Sequence, residues 1–265
     1  MRIDPITHKL FSSAGNHGFV TLMYHAIAQG KPDHPWAVSL TNFGQQMALL
    51  RDHGWTSICA QQLKLGIDQL PSKTVLITFD DGYANNMPAF ELLAKLGLVA
   101  SWFVVTHDIG KLSSWSDSDT PKNQLLSKAQ LWDMQKAGME IGSHTQTHAR
   151  LTQVPKQQLA IELCHSKDCL SALLGQSITS FAYPYGLYNQ DIVLATKAAG
   201  YDVGFTTQTG FGLIKQNLLE VRRISIMADD SLSSFARKLT FADNNVGWPK
   251  LGGYIFQRAK ARLNL

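Results

Sequence analysis

The stretch Val75-Leu76-Ile77-Thr78-Phe79-Asp80-Asp81-Gly82 decides the reading of this chain. A bulky, mostly apolar run from Val75 to Phe79 stops abruptly at two adjacent carboxylates and a glycine. A continuous apolar run of this length predicts a strand buried on both faces, as in parallel sheets. Two charges at the end of such a strand belong at the rim of a sheet or barrel, where loops build active sites. The plainer alternative is a strand followed by an Asp-Gly turn.

Working outward, a unit recurs in which an amphipathic helix, a glycine and a short apolar strand follow one another. Met87, Phe90, Leu93 and Leu96 precede Gly97 and the strand 100–105; Leu131 and Met134 precede Gly138 and the strand 139–141. Leucines from Leu159 to Leu174 precede Gly175 and a strand at 178–183, and Ile192, Ala195 and Ala198 precede Gly200 and Val203-Gly204-Phe205. Glycine is the expected stop after a helix, and strict alternation argues for parallel strands with right-handed crossovers. With Val20–His25 first and Arg222–Ile226 last, core strands begin near residues 20, 74, 100, 139, 178, 203 and 222. The expected architecture is a single-domain α/β fold, an irregular (β/α)7 barrel over residues 18–230. Residues 1–17 are expected to form an N-terminal extension, and 231–265 a helical, basic tail packed on or near the barrel. Between the first two strands, Thr41 is expected to cap a helix carrying Phe43, Met47 and Leu50.

Composition bounds the function. The chain has 265 residues, 45% of them hydrophobic and 17% charged, with a net charge of +4. That is an ordinary globular balance with room for a sizeable core, and no basic stripe interleaved with aromatics points to nucleic acid. Cys59, Cys164 and Cys169 lack metal-ligand spacing, and packing is the expected role of the last two. Met1-Arg2-Ile3-Asp4-Pro5 opens no apolar leader, and no stretch reaches the roughly 20 apolar residues that span a bilayer. A cytoplasmic location is expected. The tail 248–265 carries Lys250, Arg258, Lys260 and Arg262 beside Tyr254, Ile255, Phe256 and Leu263. A helix on the barrel exterior explains it, and peripheral contact with the inner membrane is the alternative.

Two further polar clusters also end on strands. Gly142-Ser143-His144-Thr145-Gln146-Thr147-His148 holds two histidines four apart. With a carboxylate they make a His–His–Asp set suited to a catalytic zinc with open positions; the alternative is a pair of surface or capping histidines. In Ser180–Gly186, Pro184 stiffens a turn that Gly186 lets bend sharply. Such a turn could aim a backbone N–H at a developing oxyanion, or could simply lead into a helix capped by Asn189.

These three clusters resemble the polysaccharide deacetylase, or NodB-homology, family, over roughly residues 18–230. Its first motif, Thr-Phe-Asp-Asp-Gly, stands at Thr78–Gly82, and its second, Ser-His-Ser/Thr-x-x-His, at Ser143–His148. Its third, Arg-x-Pro-Tyr/Phe-Gly, is partly kept as Ala182–Gly186. The resemblance implies Asp80 as general base and Asp81, His144 and His148 as ligands of a divalent metal. Zinc is the expected ion, with cobalt, nickel or manganese as alternatives, and the Tyr185 backbone N–H would help bind the oxyanion.

Two departures follow. The motif arginine is Ala182 here, so that position cannot orient Asp80. The family's late histidine, its usual general acid, is absent; His165 is the last in the chain, and the final strand offers Arg222, Arg223 and Ser225. His25, at the end of the first strand, is the expected substitute, with His107 weaker. The Met23-Tyr24-His25 start and the Phe-x-Tyr-Pro-Tyr-Gly form resemble the poly-N-acetylglucosamine deacetylase-like branch, in which an early histidine takes this role. The implied activity is hydrolysis of the N-acetyl group of an amino sugar in a bacterial-type glycan or glycolipid. Deformylation or deacylation of a lipid-linked sugar at the cytoplasmic membrane face, and a degenerate glycan-binding barrel, are the alternatives. The long polar segment 108–127, with Trp115, Asp117, Asp119 and Pro121, is placed to shape a substrate groove.

Overall fold

The computed structural model describes residues 3–12, 14, 18–115, 122–213 and 217–253. Asp117, Asp119 and Pro121, and the tail from Tyr254 onward, lie outside the described residues. The barrel strands are β1 (Phe19–Tyr24), β2 (Thr74–Phe79), β3 (Ser101–Val104), β4 (Glu140–Ser143), β5 (Ser180–Ala182), β6 (Val203–Phe205) and β7 (Ile224–Ser225). All pair in parallel, in the spatial order β7-β1-β2-β3-β4-β5-β6. A parallel bridge from Phe205 to Val221 links β6 to the chain entering β7, which brings the ends of that order together. The α/β barrel of seven core strands is therefore as expected from the helix–strand alternation.

Alternation along the strands sorts the side chains. Val75, Ile77 and Phe79 of β2 face the helices, in the large core with Leu22, Tyr24, Trp102, Phe181 and Ile224. Leu76 faces the barrel interior with Phe19, Phe103, Phe205 and Val221. β2 is buried along its whole length, as its continuous apolar sequence requires. The base of the barrel is closed by 3-10 turns over Ala60–Leu65, whose Leu63 joins the interior cluster. A short strand, Thr56–Ile58, pairs with the first half of β2 and adds an eighth strand that the periodicity did not mark.

The helices are α1 (Pro5–Ser12), α2 (Leu40–Asp52), α3 (Met87–Leu96), α4 (Lys128–Lys136), α5 (Lys156–Leu174), α6 (Gln190–Ala198) and α7 (Leu232–Phe241). Gly97 and Gly175 end α3 and α5 in the left-handed region, where glycine carries no Cβ penalty. Asn189 caps α6, as expected. Ser39, not Thr41, caps α2 by accepting from the Asn42 N–H: the helix starts one residue before Thr41, which therefore lies inside its first turn.

The N-terminal segment is more than an extension. Asp4 accepts from the Thr7 N–H and so caps α1, with Pro5 at its first position, a placement proline favours. Phe11 is fully buried and stacks on Trp55 at 5.9 Å. Asp4 also pairs with Arg237 of α7 at 3.2 Å, which ties the two ends of the chain together. Residues 248–253 are helical. Cys169 is exposed, against the packing role expected for it, because it falls on the outer face of α5. Among the described residues no helix is long and apolar enough to cross a membrane.

Candidate active site

The segments that follow β1, β2, β4 and β5 converge at the C-terminal end of the barrel. Asp80, one residue past β2, has the inward parity of Leu76 and Thr78. The register Tyr24↔Phe79 sets His25 abreast of Asp80, and the Asp80 N–H donates to the Tyr24 carbonyl at 3.0 Å. Asp81 then turns away with φ +71°, so adjacent carboxylates point in different directions. Gly82 also has positive φ, and a Cβ there would lie 3.0 Å from the Val104 side chain.

Asp81, His144 and His148 meet as the sequence predicts. Asp81 Oδ1 lies 3.5 Å from His144 Nε2 and 3.3 Å from His148 Nε2. Among the described residues these are the one set of three such side chains whose ligand atoms all lie within 4.8 Å of one another. His144 Nδ1 lies 2.8 Å from the Ala182 carbonyl, and His148 Nδ1 lies 3.0 Å from the Tyr185 hydroxyl. Those contacts fix each ring with Nε2 facing Asp81, the orientation that metal-binding histidines require. A carboxylate oxygen and two imidazole nitrogens, buried together with room on the cleft side, fit a divalent ion such as zinc. The hydrogen bonds to the two histidines hold the Asp81 carboxyl well below its ordinary range despite burial, and the two aspartates raise His144 despite its burial.

The loop carrying the histidines is built around Glu162 of α5, which the sequence reading did not single out. Its carboxylate accepts from the Gln146 and Thr147 N–H groups at 3.0 and 2.9 Å and from the Thr147 hydroxyl at 2.7 Å. Thr145, His148 and Tyr185, like Asp81, have positive φ without being glycine. Four residues in this uncommon conformation at one site mark backbone held in place by its surroundings.

Asp80 is oriented by a residue from the far end of the chain. Arg223, fully buried, donates Nη1–H and Nη2–H to the two Asp80 oxygens at 2.6 and 2.8 Å, and its Nε–H to the Thr206 carbonyl at 2.9 Å. Burial alone would raise the Asp80 carboxyl; Arg223 and His144 more than offset it and hold it below its ordinary value. Ala182 indeed contributes no side chain to Asp80, but the arginine function reaches it from the strand end beside β1. The signal was present in Arg223-Ile224-Ser225-Ile226: with Ile224 and Ile226 packed outward, Arg223 must point in.

His25 lines the same cleft as Asp80 and Asp81, beside the Trp36 ring at 4.7 Å between centroids. Its Nδ1 is buried with no hydrogen-bond partner. Burial pushes its pKa below the ordinary histidine value, against the pull of Asp81 and Asp80. His107 is exposed and is not among the residues lining the cleft. Tyr185 lines the cleft through a strained turn, with Arg150 stacked 3.9 Å over its ring. Trp115 packs 4.7 Å from His148 and 6.2 Å from Tyr83 and forms the opposite wall. The cleft encloses about 530 Å³, the size of a small-molecule site.

Residues 68–204 match the family model described as polysaccharide deacetylase. A putative polysaccharide deacetylase of Bacillus subtilis is 32% identical over 218 residues, covering 81% of this chain and 73% of that relative. The poly-beta-1,6-N-acetyl-D-glucosamine N-deacetylase of Escherichia coli K12 is 23% identical over 263 residues; the match covers 84% of this chain but only 39% of that protein. The crystal structure of a polysaccharide deacetylase from Bacillus cereus superposes with a TM-score of 0.73 at 29% identity, covering 84% of this chain and 69% of that one. With the three motifs gathered at one barrel rim and the family model spanning more than half of the chain, this protein belongs to the polysaccharide deacetylase family.

Proposed function

We propose that the chain hydrolyses the N-acetyl group of an amino sugar within a glycan, using a divalent metal held by Asp81, His144 and His148. The observation that carries this reading is the pairing of that triad with a separate, ionised Asp80 at the head of one cleft. Asp80 is not part of the ligand group, and Arg223 holds it ionised and oriented, the state in which a carboxylate can accept a proton. When bound, the metal supplies Lewis acidity to the acetamide carbonyl and lowers the pKa of water at its open position.

The protein's own residues supply the rest. Asp80 accepts the proton of the attacking water, with Arg223 fixing its direction. The Tyr185 backbone N–H, presented by the strained turn after Pro184, donates to the developing oxyanion. His25 returns a proton to the leaving amine. Burial lowers the His25 pKa, so its ring takes from Asp80 the proton that came from the attacking water and passes it to the leaving amine. Acetate and a free amine are the products.

The named activities of the relatives favour an N-acetylated glucosamine polymer as substrate. Acetate release from N-acetylglucosamine oligomers, with zinc or cobalt added, tests the reading. Asp80→Asn should retain metal and lose activity, and His144→Ala should lose both. A full-strength Asp80→Asn enzyme overturns the assignment.

A further inference from the structure

A second hollow, of about 640 Å³, opens on the same rim between the end of β7, α7 and the loop 244–247. Trp36 lines both it and the catalytic cleft. The indole is half-buried and is the shared wall between them. The loop bearing it is pinned to the hollow's own rim, because the Ala228 N–H donates to the Pro35 carbonyl at 2.8 Å.

Most residues around the hollow are polar or charged, and its internal charges are nearly closed. Lys238 Nζ, buried, donates to Asp230 at 2.5 Å and to the Ser225 carbonyl at 2.9 Å. Arg237 is engaged by Asp4 and by the Val246 carbonyl. Asp229 lines the hollow, is exposed, and has no hydrogen-bond or ion-pair partner among the described residues. One carboxylate is left over, in a space flanked by hydroxyl and amide groups and walled on one side by an aromatic ring.

Resting on the deacetylase reading above, we propose that this hollow is a distal subsite for a neighbouring unit of the glycan chain. Its surplus carboxylate makes it favour a unit that already carries a free amine. Trp36 offers a flat apolar face to the sugar at the step between the two sites, while the exposed Asn245 lines the hollow and supplies a hydrogen-bonding side chain. An ammonium group on the sugar completes the charge of Asp229. The enzyme then prefers chains that are already partly deacetylated, and its products improve as ligands for the next turnover.

The test uses β-linked amino-sugar trimers, fully acetylated or carrying one free amine at either end. The wild-type protein should turn over one of the mono-amine trimers with a kcat/KM about threefold above the fully acetylated trimer, in line with a partly exposed ion pair. Asp229→Asn should abolish that ratio. Gly247→Trp fills the hollow from a position where a Cβ meets only ordinary contacts, 3.6 Å from Pro249. It should remove the gain of trimer over monosaccharide. A ratio unchanged in Asp229→Asn, or a chain-length gain retained in Gly247→Trp, overturns the subsite. Calorimetric binding of a fully deacetylated trimer, weakened in Asp229→Asn, reads the subsite without hydrolysis. Binding that persists while no substrate releases acetate therefore refutes the deacetylase reading and leaves the subsite standing.

Discussion

Arg223 grips Asp80 through both terminal guanidinium nitrogens, at 2.6 and 2.8 Å, across 143 residues of sequence. Both groups are buried, so the pair makes the last barrel strand a direct support of the proposed base. Removing one partner would strand the other as an uncompensated buried charge.

Arg223→Met should therefore destabilise the protein by about 3–5 kcal/mol, the usual cost of breaking a buried pair. Adding Asp80→Asn to it should return part of that loss. The sign in pH follows from the lowered carboxyl: its stabilising contribution is present above the unfolded carboxylate value and is lost as pH falls through the folded one. Denaturant unfolding of both variants at pH 7 and at a pH below the unfolded carboxylate value of 3.8 checks this. The single variant should lie closer to wild type at the lower pH.

Replacing His25 by Gln removes the proposed proton donor without touching a metal ligand. Loss of general acid assistance should lower kcat/KM by about 10²–10⁴-fold, with metal content unchanged. Parallel acetate assays and metal analysis separate this from misfolding.

Tyr185→Phe deletes the hydroxyl that sits 3.0 Å from His148 Nδ1. Loss of an outer partner of a ligating histidine should weaken divalent metal binding about tenfold. Competition with a chromophoric chelator measures it, and an unchanged affinity would show that the hydroxyl does not orient the ring.

At the opposite end of the barrel, burial pushes the Glu140 carboxyl above its ordinary value despite hydrogen bonds from Ser101 and Gln61. A raised carboxyl stabilises the fold below its unfolded value and gives up that contribution as pH rises through the folded value. Glu140→Gln can keep an oxygen for both donors without the charge. Its Tm should exceed wild type at pH 7.5 and match it near pH 4, measured by calorimetry.

Much of this was legible in the sequence because the informative residues sit next to strand ends. Asp80, Asp81, His144, His148 and His25 each follow a run whose apolar pattern marks a strand. Parallel strands then deliver them to one rim. Arg223 and Glu162 escaped for a different reason. Each acts at a distance fixed by packing, Arg223 across the barrel interior and Glu162 from the inner face of α5 to the loop beside it. No local spacing announces such a contact, although inward parity at Arg223 could have narrowed it. The first helix was missed because eight residues are too short for a periodic signal, even with Asp4-Pro5 at its start.

The bridge that joins the end of the strand series to its beginning has a consequence for biosynthesis. Synthesis proceeds from the N-terminus, so Asp80, Asp81 and both histidines leave the ribosome well before Arg223. Until β7 docks beside β1, Asp80 has no guanidinium and the second hollow lacks the wall formed by Ser225, Met227 and α7. A nascent or truncated chain ending before residue 223 would carry Asp81, His144 and His148 but lack the guanidinium that orients Asp80. On the proposed roles, the three ligands are synthesised before the base can be oriented, and the final strand is the last part of the site to arrive.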